Sequence, residues 1–270
     1  MIKKLQNFYF CTSRDFSNFS YLRHKNFGAI VVSMHQSGTH WLKYMLSMAI
    51  AHDKNLPFPE HIGDDMIISP GPKRMPKHIT SPLICACHSI PNPLIKVSLS
   101  KKNNKHPKYI ILVRDIRDAL TSHFQKHGKI YQCSFSEYLS GDPLNKKFDK
   151  DIWWDIRFLN RWGELAEKYK EQIKVVKYED LIGNTTEKLI EISNFIEIEF
   201  NDMDDSIAYA VSQSSKEKMA KKDLKINNLK VVNVSNKNRE EWFNESLKFR
   251  FQQICKEYLR YDFSYNYDEW

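Results

Sequence analysis

Short apolar runs, each followed by apolar positions at helical spacing, are the dominant pattern along this 270-residue chain. The runs that we predict as strands are Ala29–Val32, Leu83–Cys87, Tyr109–Val113 and Ile173–Tyr178. An unbroken apolar run such as YIILV is typical of a parallel strand buried on both faces. Strands that alternate with helices predict an α/β fold with three layers, a central and mostly parallel sheet flanked by helices.

Apolar residues three and four positions apart predict the helices of this fold. The predicted helices are Thr39–Ala51, Asp115–Lys126, Trp153–Lys170, Thr185–Ile196 and Glu241–Leu259. Residues 52–81 are rich in proline and predict a long loop, and residues 201–240 predict either a lid or plain surface. We divide the chain into an N-terminal arm (1–28), a single domain (29–260) and a C-terminal tail (261–270), although the length would also allow two domains.

Composition narrows the possible partners. The 41 Lys and Arg residues exceed the 33 Asp and Glu residues, and the net charge of +8 suits an anionic ligand. No nucleic-acid-binding motif is present, and no stretch is apolar for long enough to span a membrane, so we expect neither partner. Because the five cysteines are scattered and no secretory signal is evident, we expect a cytoplasmic protein with free thiols and no metal site.

The segment between the first strand and the first helix is the strongest functional signal. Ser33–His40 contains one glycine, three hydroxyls and no acidic residue, immediately before a helix N-terminus. Unsatisfied N–H groups and partial positive charge at such a terminus favour an anion, so we predict a phosphate cradle. The nucleotide-triphosphatase motif would place lysine after the glycine, whereas Thr39 follows Gly38 here. An ordinary strand–turn–helix connection is the alternative.

Three other segments place suitable side chains where strands end. Arg114 follows the third strand, and Ser122 lies about two helical turns further on; together they could hold a phosphate. His88 follows the second strand, where an imidazole with an ordinary pKa near 6.5 could act as a base. Tyr178 follows the fourth strand. Arg117 is expected instead to pair with a neighbouring aspartate.

In combination, these motifs resemble the cytosolic-type sulfotransferases. The residues that carry the resemblance, in family order and at approximately family spacing, are Ser37–Leu42, Cys87-His88, Val113–Ser122, Trp154, Trp162 and Tyr178–Leu181. The resemblance implies a sulfotransferase of P-loop-like architecture. It would transfer a sulfuryl group from 3′-phosphoadenosine-5′-phosphosulfate (PAPS) to a hydroxyl or amine of a small-molecule or glycan acceptor, leaving adenosine 3′,5′-bisphosphate (PAP), without a metal.

The resemblance also implies a role for individual residues. Gln36, Ser37, Gly38, Thr39 and His40 would hold the 5′-phosphosulfate, with Gln36 close to the bond that breaks. Arg114 and Ser122 would bind the 3′-phosphate, and His88 would be the catalytic base. The residues expected around the adenine or closing over the nucleotide are Trp41, Tyr178, Ser214, Ser215, Lys237 and Arg239.

Three departures from the family pattern remove positive charge. Gln36 replaces the cation that precedes Ser-Gly-Thr, Ala86 replaces a frequent lysine, and Ser235-Asn236-Lys237 replaces Arg-Lys-Gly. His35, His40, Lys43, Lys237 and Arg239 are the candidate replacements. These departures keep two alternatives open: a small-molecule P-loop kinase, and a catalytically weak module that binds adenosine 3′,5′-bisphosphate.

Overall fold

The computed structural model describes residues 26–72, 74–91, 99, 107–142, 147–226 and 239–270. Its core is a four-stranded sheet in the order β2-β1-β3-β4, with every neighbouring pair parallel. The strands are β1 (Ala29–Ser33), β2 (Ile84–Cys87), β3 (Lys108–Val113) and β4 (Ile173–Lys177). The predicted central sheet is therefore confirmed.

Helices connect these strands. In the described residues they are α1 (Thr39–Asp53), α2 (Ile116–Tyr131), α3 (Phe135–Ser140), α4 (Ile152–Lys168), α5 (Tyr178–Gly183), α6 (Thr185–Phe195), α7 (Met203–Gln213), α8 (Lys216–Ile226) and α9 (Glu245–Tyr258), with a short 3₁₀ turn at Arg239–Glu241. Five of them match predicted helices to within a few residues at most ends. The sequence pattern missed α3, α5, α7 and α8, and the region that we considered as a lid or surface contains the last two.

Alternate residues of the central strands point to opposite faces of the sheet. Ile30 and Val32 of β1 join one core cluster, which includes apolar side chains of α2, α4 and α9. Ala29 and Val31 join the other, which includes side chains of α1, α6 and α7. Burial on both faces explains why β1 and β3 read as continuous apolar runs.

The C-terminal residues 261–270, which the sequence analysis set apart as a tail, contact this core. Tyr267 is buried, and its hydroxyl accepts a hydrogen bond from the backbone N–H of Ile116 at 3.3 Å. Arg117 pairs with Asp115 at 2.7 Å, as expected, but the pair is buried beneath Tyr267 and Trp270 rather than exposed. This packing holds the start of α2, the helix that follows Arg114.

Candidate active site

The connection from β1 to α1 leaves a helix N-terminus open. Gly38 is the N-cap of α1 with φ of 87°, no side chain caps the helix, and no acidic residue lies in its first turn. The first N–H groups of a helix have no partner within the helix, and they carry partial positive charge. This end of α1 therefore offers donors to an anion.

The side chain of Ser37 does not take part in this opening, contrary to our expectation of a hydroxyl facing the anion. Its hydroxyl donates to the carbonyl of Met34 at 2.6 Å and lies 3.3 Å from that of Leu112, and the residue is fully buried. A buried hydroxyl needs hydrogen-bond partners, and nearby backbone carbonyls provide them here. This side chain therefore stabilises the conformation of the loop.

Glycine is required at position 38 for two reasons. Its positive φ is one that other residues adopt only with strain, and a Cβ there would lie 2.6 Å from the Tyr178 ring. The same ring lies 6.3 Å from that of Trp41, edge to face, and the Trp41 indole N–H donates to the carbonyl of Ser214 at 3.0 Å. The loop between β1 and α1, the end of β4 and the end of α7 therefore meet beside the N-terminus of α1.

Arg114 contacts the cradle directly. Its Nη1 donates to the carbonyl of Gln36 at 2.8 Å, and its guanidinium lies 4.6 Å from the centre of the Tyr178 ring. The Nε of Arg114 is buried without a hydrogen-bond partner among the described residues. Ser122 is close by, with its hydroxyl 3.5 Å from the side-chain oxygen of Gln36. The two predicted phosphate ligands thus flank the loop.

His88 is held in a defined orientation. Its Nδ1 lies 2.9 Å from the backbone carbonyl of Ser33, and because a carbonyl only accepts, Nδ1 carries the proton. The ring stacks on His35 with centroids 4.0 Å apart. Burial lowers the pKa of His88 below the ordinary 6.5, and the hydrogen bond to Ser33 opposes this shift. The imidazole is therefore neutral near pH 7, with its lone pair on Nε2.

Ser33 also links this base to the cradle. Its hydroxyl lies 2.6 Å from that of Thr39 and 3.2 Å from Nδ1 of His88. Since Ser33 is fully buried, these contacts are shielded from water. The end of β1 therefore fixes the relative positions of His88 and the first residue of α1.

A pocket of about 800 Å³ connects these groups. The predicted site residues that line it are Gln36, Gly38, Thr39, His40, Trp41, His88, Arg114, Ser122, Tyr178, Ser214, Ser215 and Arg239. Lys237 lies outside the described residues. The structure thus brings together residues from the ends of all four strands, at the edge where open α/β sheets bind ligands.

The candidate replacement cations have different surroundings. Lys43 is buried and forms an ion pair with Asp65, so it is already neutralised. His40 lines the pocket; desolvation first, and then the positive charge of Lys43, lowers its pKa to about 4, so it is neutral near pH 7. Arg239 pairs with Asp115 at 3.1 Å. Arg114 is the cation that contacts the cradle itself.

The sequence analysis predicted that residues 124–150 help to shape the acceptor pocket, but it named no individual residue on the wall beyond His88. The residues there that line the pocket include His123, Lys126, His127, Asp149 and Lys150. The spacing of His123 and His127, one helical turn apart and directly after Ser122, was an available signal. His35, considered only as a replacement cation, also lies on this wall.

Comparison with known families identifies the fold and the activity. The family model described as Sulfotransferase domain matches residues 28–263. The chain belongs to the sulfotransferase family. Membership confirms the activity that the sequence resemblance implied, transfer of a sulfuryl group from PAPS, but it does not specify the acceptor. No match is found among curated protein sequences.

Solved structures of sulfotransferase fold support the architecture. Mouse sulfotransferase SULT7A1 complexed with PAP is 17% identical, with a TM-score of 0.57 over 87% of this chain and 84% of that chain. Retinol dehydratase in a complex with retinol and PAP is 13% identical, with a TM-score of 0.61 over 88% and 83%. An Arabidopsis thaliana putative steroid sulphotransferase is 18% identical, with a TM-score of 0.56 over 88% and 80%. At these identities the likeness concerns the fold.

Two further findings concern the sulfotransferase chain as the structure describes it. None of its described helices is long and apolar enough to cross a membrane. Among the described residues, no group of three or more His, Cys, Asp or Glu side chains could hold a metal ion.

Proposed function

We propose that this sulfotransferase uses His88 as the general base that deprotonates a hydroxyl or amine of a small-molecule acceptor. The observation that carries this assignment is the hydrogen bond from Nδ1 of His88 to the Ser33 carbonyl. It fixes the tautomer with a free lone pair on Nε2, and the lowered pKa keeps that lone pair available near pH 7.

The residues at the cradle fit the donor PAPS. The open N-terminus of α1 suits the 5′-phosphosulfate, and the unpartnered Nε of Arg114 suits a phosphate oxygen. We assign Arg114 and Ser122 to the 3′-phosphate, and Trp41, Tyr178, Ser214 and Ser215 to the adenine side. A side chain at position 38 would collide with Tyr178, so glycine there lets this ring pack against the backbone of the cradle.

The donor supplies an activated sulfuryl group whose transfer leaves negative charge on the 5′-phosphate. His88 takes the acceptor proton at Nε2 and shares the resulting positive charge with the Ser33 carbonyl. The first-turn N–H groups of α1 offset the charge that develops on the 5′-phosphate. Gln36 provides a neutral hydrogen bond, about half as strong as a charge-assisted one.

The transfer step moves a proton to His88 and a sulfuryl group to the acceptor. The acceptor loses its proton to His88, the new oxygen–sulfur or nitrogen–sulfur bond forms, and the sulfur–oxygen bond to the phosphate breaks. Positioning and charge stabilisation supply the catalysis, as in phosphoryl transfer. We retain a cytoplasmic location and a small-molecule or glycan acceptor as predictions.

An assay with ³⁵S-labelled PAPS and a panel of hydroxyl and amine acceptors tests the proposal. His88→Asn should lower kcat by about 10²–10⁴-fold, because a positioned base contributes that much, while the Kd for PAP changes by less than about twofold. His52→Asn, outside the pocket lining, is the matched control. Full activity in His88→Asn would refute the base, and tight PAP binding without turnover in the wild type would favour the bisphosphate-binding module.

A further inference from the structure

Two hydroxyls lie between the proposed base and the first turn of α1. The hydroxyl of Ser33, at the end of β1, lies 3.2 Å from Nδ1 of His88 and 2.6 Å from the hydroxyl of Thr39. Thr39 is the first residue of α1 and lines the pocket, whereas Ser33 is fully buried behind it. We call Ser33 and Thr39 the hydroxyl chain, because together they connect the base with the open helix N-terminus.

The contacts of Ser33 allow the hydroxyl protons two arrangements. Either hydroxyl can be the donor in the bond between Ser33 and Thr39. If Thr39 donates, the acceptor that remains for the Ser33 proton is the Cys87 carbonyl, at the longer distance of 3.4 Å. If Ser33 donates instead, its oxygen still accepts from Nδ1 of His88, and the Thr39 proton is available to a further acceptor, since a hydroxyl has a single proton and two lone pairs.

An anion at the first turn of α1 favours the second arrangement. Its field draws hydroxyl dipoles toward it, first that of Thr39 at the pocket and then that of Ser33 behind it. The donors then all point one way, from Nδ1 of His88 to Ser33, from Ser33 to Thr39, and from Thr39 toward the anion. Hydrogen bonds aligned in this way polarise one another, by roughly 10–30% for each bond. In the first arrangement Ser33 accepts from both neighbours, and this reinforcement is absent.

The aligned chain also matches the charges that form during sulfuryl transfer. His88 gains positive charge when it takes the acceptor proton, and the departing 5′-phosphate gains negative charge. Aligned hydroxyls turn an oxygen toward His88 and a hydrogen toward the phosphate. Preorganised dipoles of this direction stabilise both charges in a site that is shielded from water.

We propose that Ser33 is a positioning residue that couples the donor site to the base: an anion at the first turn of α1 aligns the hydroxyl chain, and the aligned chain makes His88 a stronger base. The proposal rests on the proposed function for the roles of His88 and of the α1 N-terminus, but it concerns the coupling between them rather than the transfer step. By linkage, protonation of His88 strengthens binding of the anion by the same factor.

The other titratable groups that face His88 come from four neighbouring segments. His35 of the loop after β1 stacks on the ring, and Cys87 precedes it on β2. His40 of α1 and His123 of α2 interact with it electrostatically, but burial lowers their pKa values to about 4 and about 2. Burial raises the pKa of the Cys87 thiol. Cys87, His40 and His123 therefore stay uncharged from about pH 5 to pH 8, and His35 has its own signal in a histidine titration.

An NMR titration of the full chain, with and without saturating PAP, tests the coupling. The imidazole Cε1–H signal of His88 is identified by its loss in His88→Asn. In the wild type, PAP should raise the pKa of His88, which stays below the ordinary 6.5 because alignment adds only a fraction of the strength of one bond. No rise in the wild type would overturn the proposal, and this comparison does not depend on any variant.

Variants distinguish the hydroxyl chain from the direct field of PAP. Ser33→Ala and Thr39→Val each remove one hydroxyl and should each lose about half of the rise or more, whereas Thr39→Ser keeps the hydroxyl and should keep the rise. Ser47→Ala is the matched control, since Ser47 is buried on α1 outside the pocket lining and its hydroxyl has no partner among the described residues. An undiminished rise in Ser33→Ala or in Thr39→Val would overturn the proposal.

Failure of the coupling and failure of the proposed function give different results. PAP binding without a change in the pKa of His88 would overturn the coupling and leave the donor site intact. A rise that depends on Ser33, without ³⁵S transfer to any acceptor, would contradict the proposed function and leave the coupling supported.

Discussion

The buried ion pair between Lys150 and Asp155 provides the sharpest test of how the pocket wall is stabilised. The Lys150 ammonium lies 2.7 Å from the Asp155 carboxylate, and both side chains are fully buried at the start of α4. Within the part of the chain that the structure describes, each is the other's only direct partner. Desolvation raises the pKa of Asp155 even though Lys150 opposes the shift.

Lys150→Met removes the cation at similar volume and leaves the carboxyl buried. Loss of one member of a buried pair typically costs about 3–5 kcal/mol. Protonation sets a ceiling of about 4.4 kcal/mol on this cost, the free energy of neutralising a carboxyl with an ordinary pKa of 3.8 at pH 7, and the raised pKa of Asp155 means that the wild type already bears part of it. We therefore expect about 1–3 kcal/mol of destabilisation at pH 7, measured by urea unfolding.

The pH dependence gives the sign of the effect. A buried carboxyl with a raised pKa destabilises the fold when it is ionised, and this penalty is relieved as the pH falls through the folded-state pKa. At pH 5 the ceiling for Asp155 drops to about 1.6 kcal/mol, so the difference in stability between Lys150→Met and wild type should be smaller than at pH 7.

A double variant distinguishes a lost charge partner from a packing defect. Lys150→Met with Asp155→Leu removes both charges and should recover most of the stability, because apolar replacements of buried pairs are often neutral or stabilising. A single-variant cost below about 1 kcal/mol, an equal cost at both pH values, or a double variant as unstable as the single one would refute the reasoning.

The remaining predictions concern the cradle and the base. Gly38→Ala should weaken PAP binding by about tenfold or more, because the positive φ and the 2.6 Å approach to Tyr178 exclude a side chain, whereas Gly183→Ala, with no neighbour within 4 Å, should bind normally in calorimetry. The kcat of the wild type should decline only on the acid side, with a midpoint below 6.5, since His88 must be deprotonated and its pKa is lowered; a midpoint at or above 6.5 would contradict this base. Gln36→Lys should raise kcat by about tenfold in the PAPS assay through a charge-assisted hydrogen bond, and unchanged or lower turnover would contradict a shortage of positive charge at the cradle.

The elements predicted best are those whose signal is local. The runs in β1 and β3 are apolar because both faces of each strand are buried, and the helical spacing in α4 reflects one buried face. Short or polar helices were missed. The six-residue α3 and α5 are too short to show a period, and α8 has many lysines and little apolar surface.

The candidate site was predicted where it depends on motif order along the chain. His88, Arg114, Ser122 and Tyr178 each follow a predicted strand, and parallel strands place those positions at one edge of the sheet. Such reasoning locates residues to the correct edge, but it does not give the direction in which a side chain points. Ser37 illustrates the difference, since its hydroxyl turns inward to the Met34 carbonyl.

The sequence by itself determined the α/β class, the family and the set of residues around the cradle, because periodicity and motif spacing are properties of the chain. Only the tertiary structure decided that His88 keeps its proton on Nδ1 and that Nδ1 of His123 is buried without a hydrogen-bond partner among the described residues. It also decided that Lys150 is neutralised by Asp155. Tautomer, burial and pairing depend on atoms brought together from distant parts of the chain, and no local pattern in the sequence records those distances.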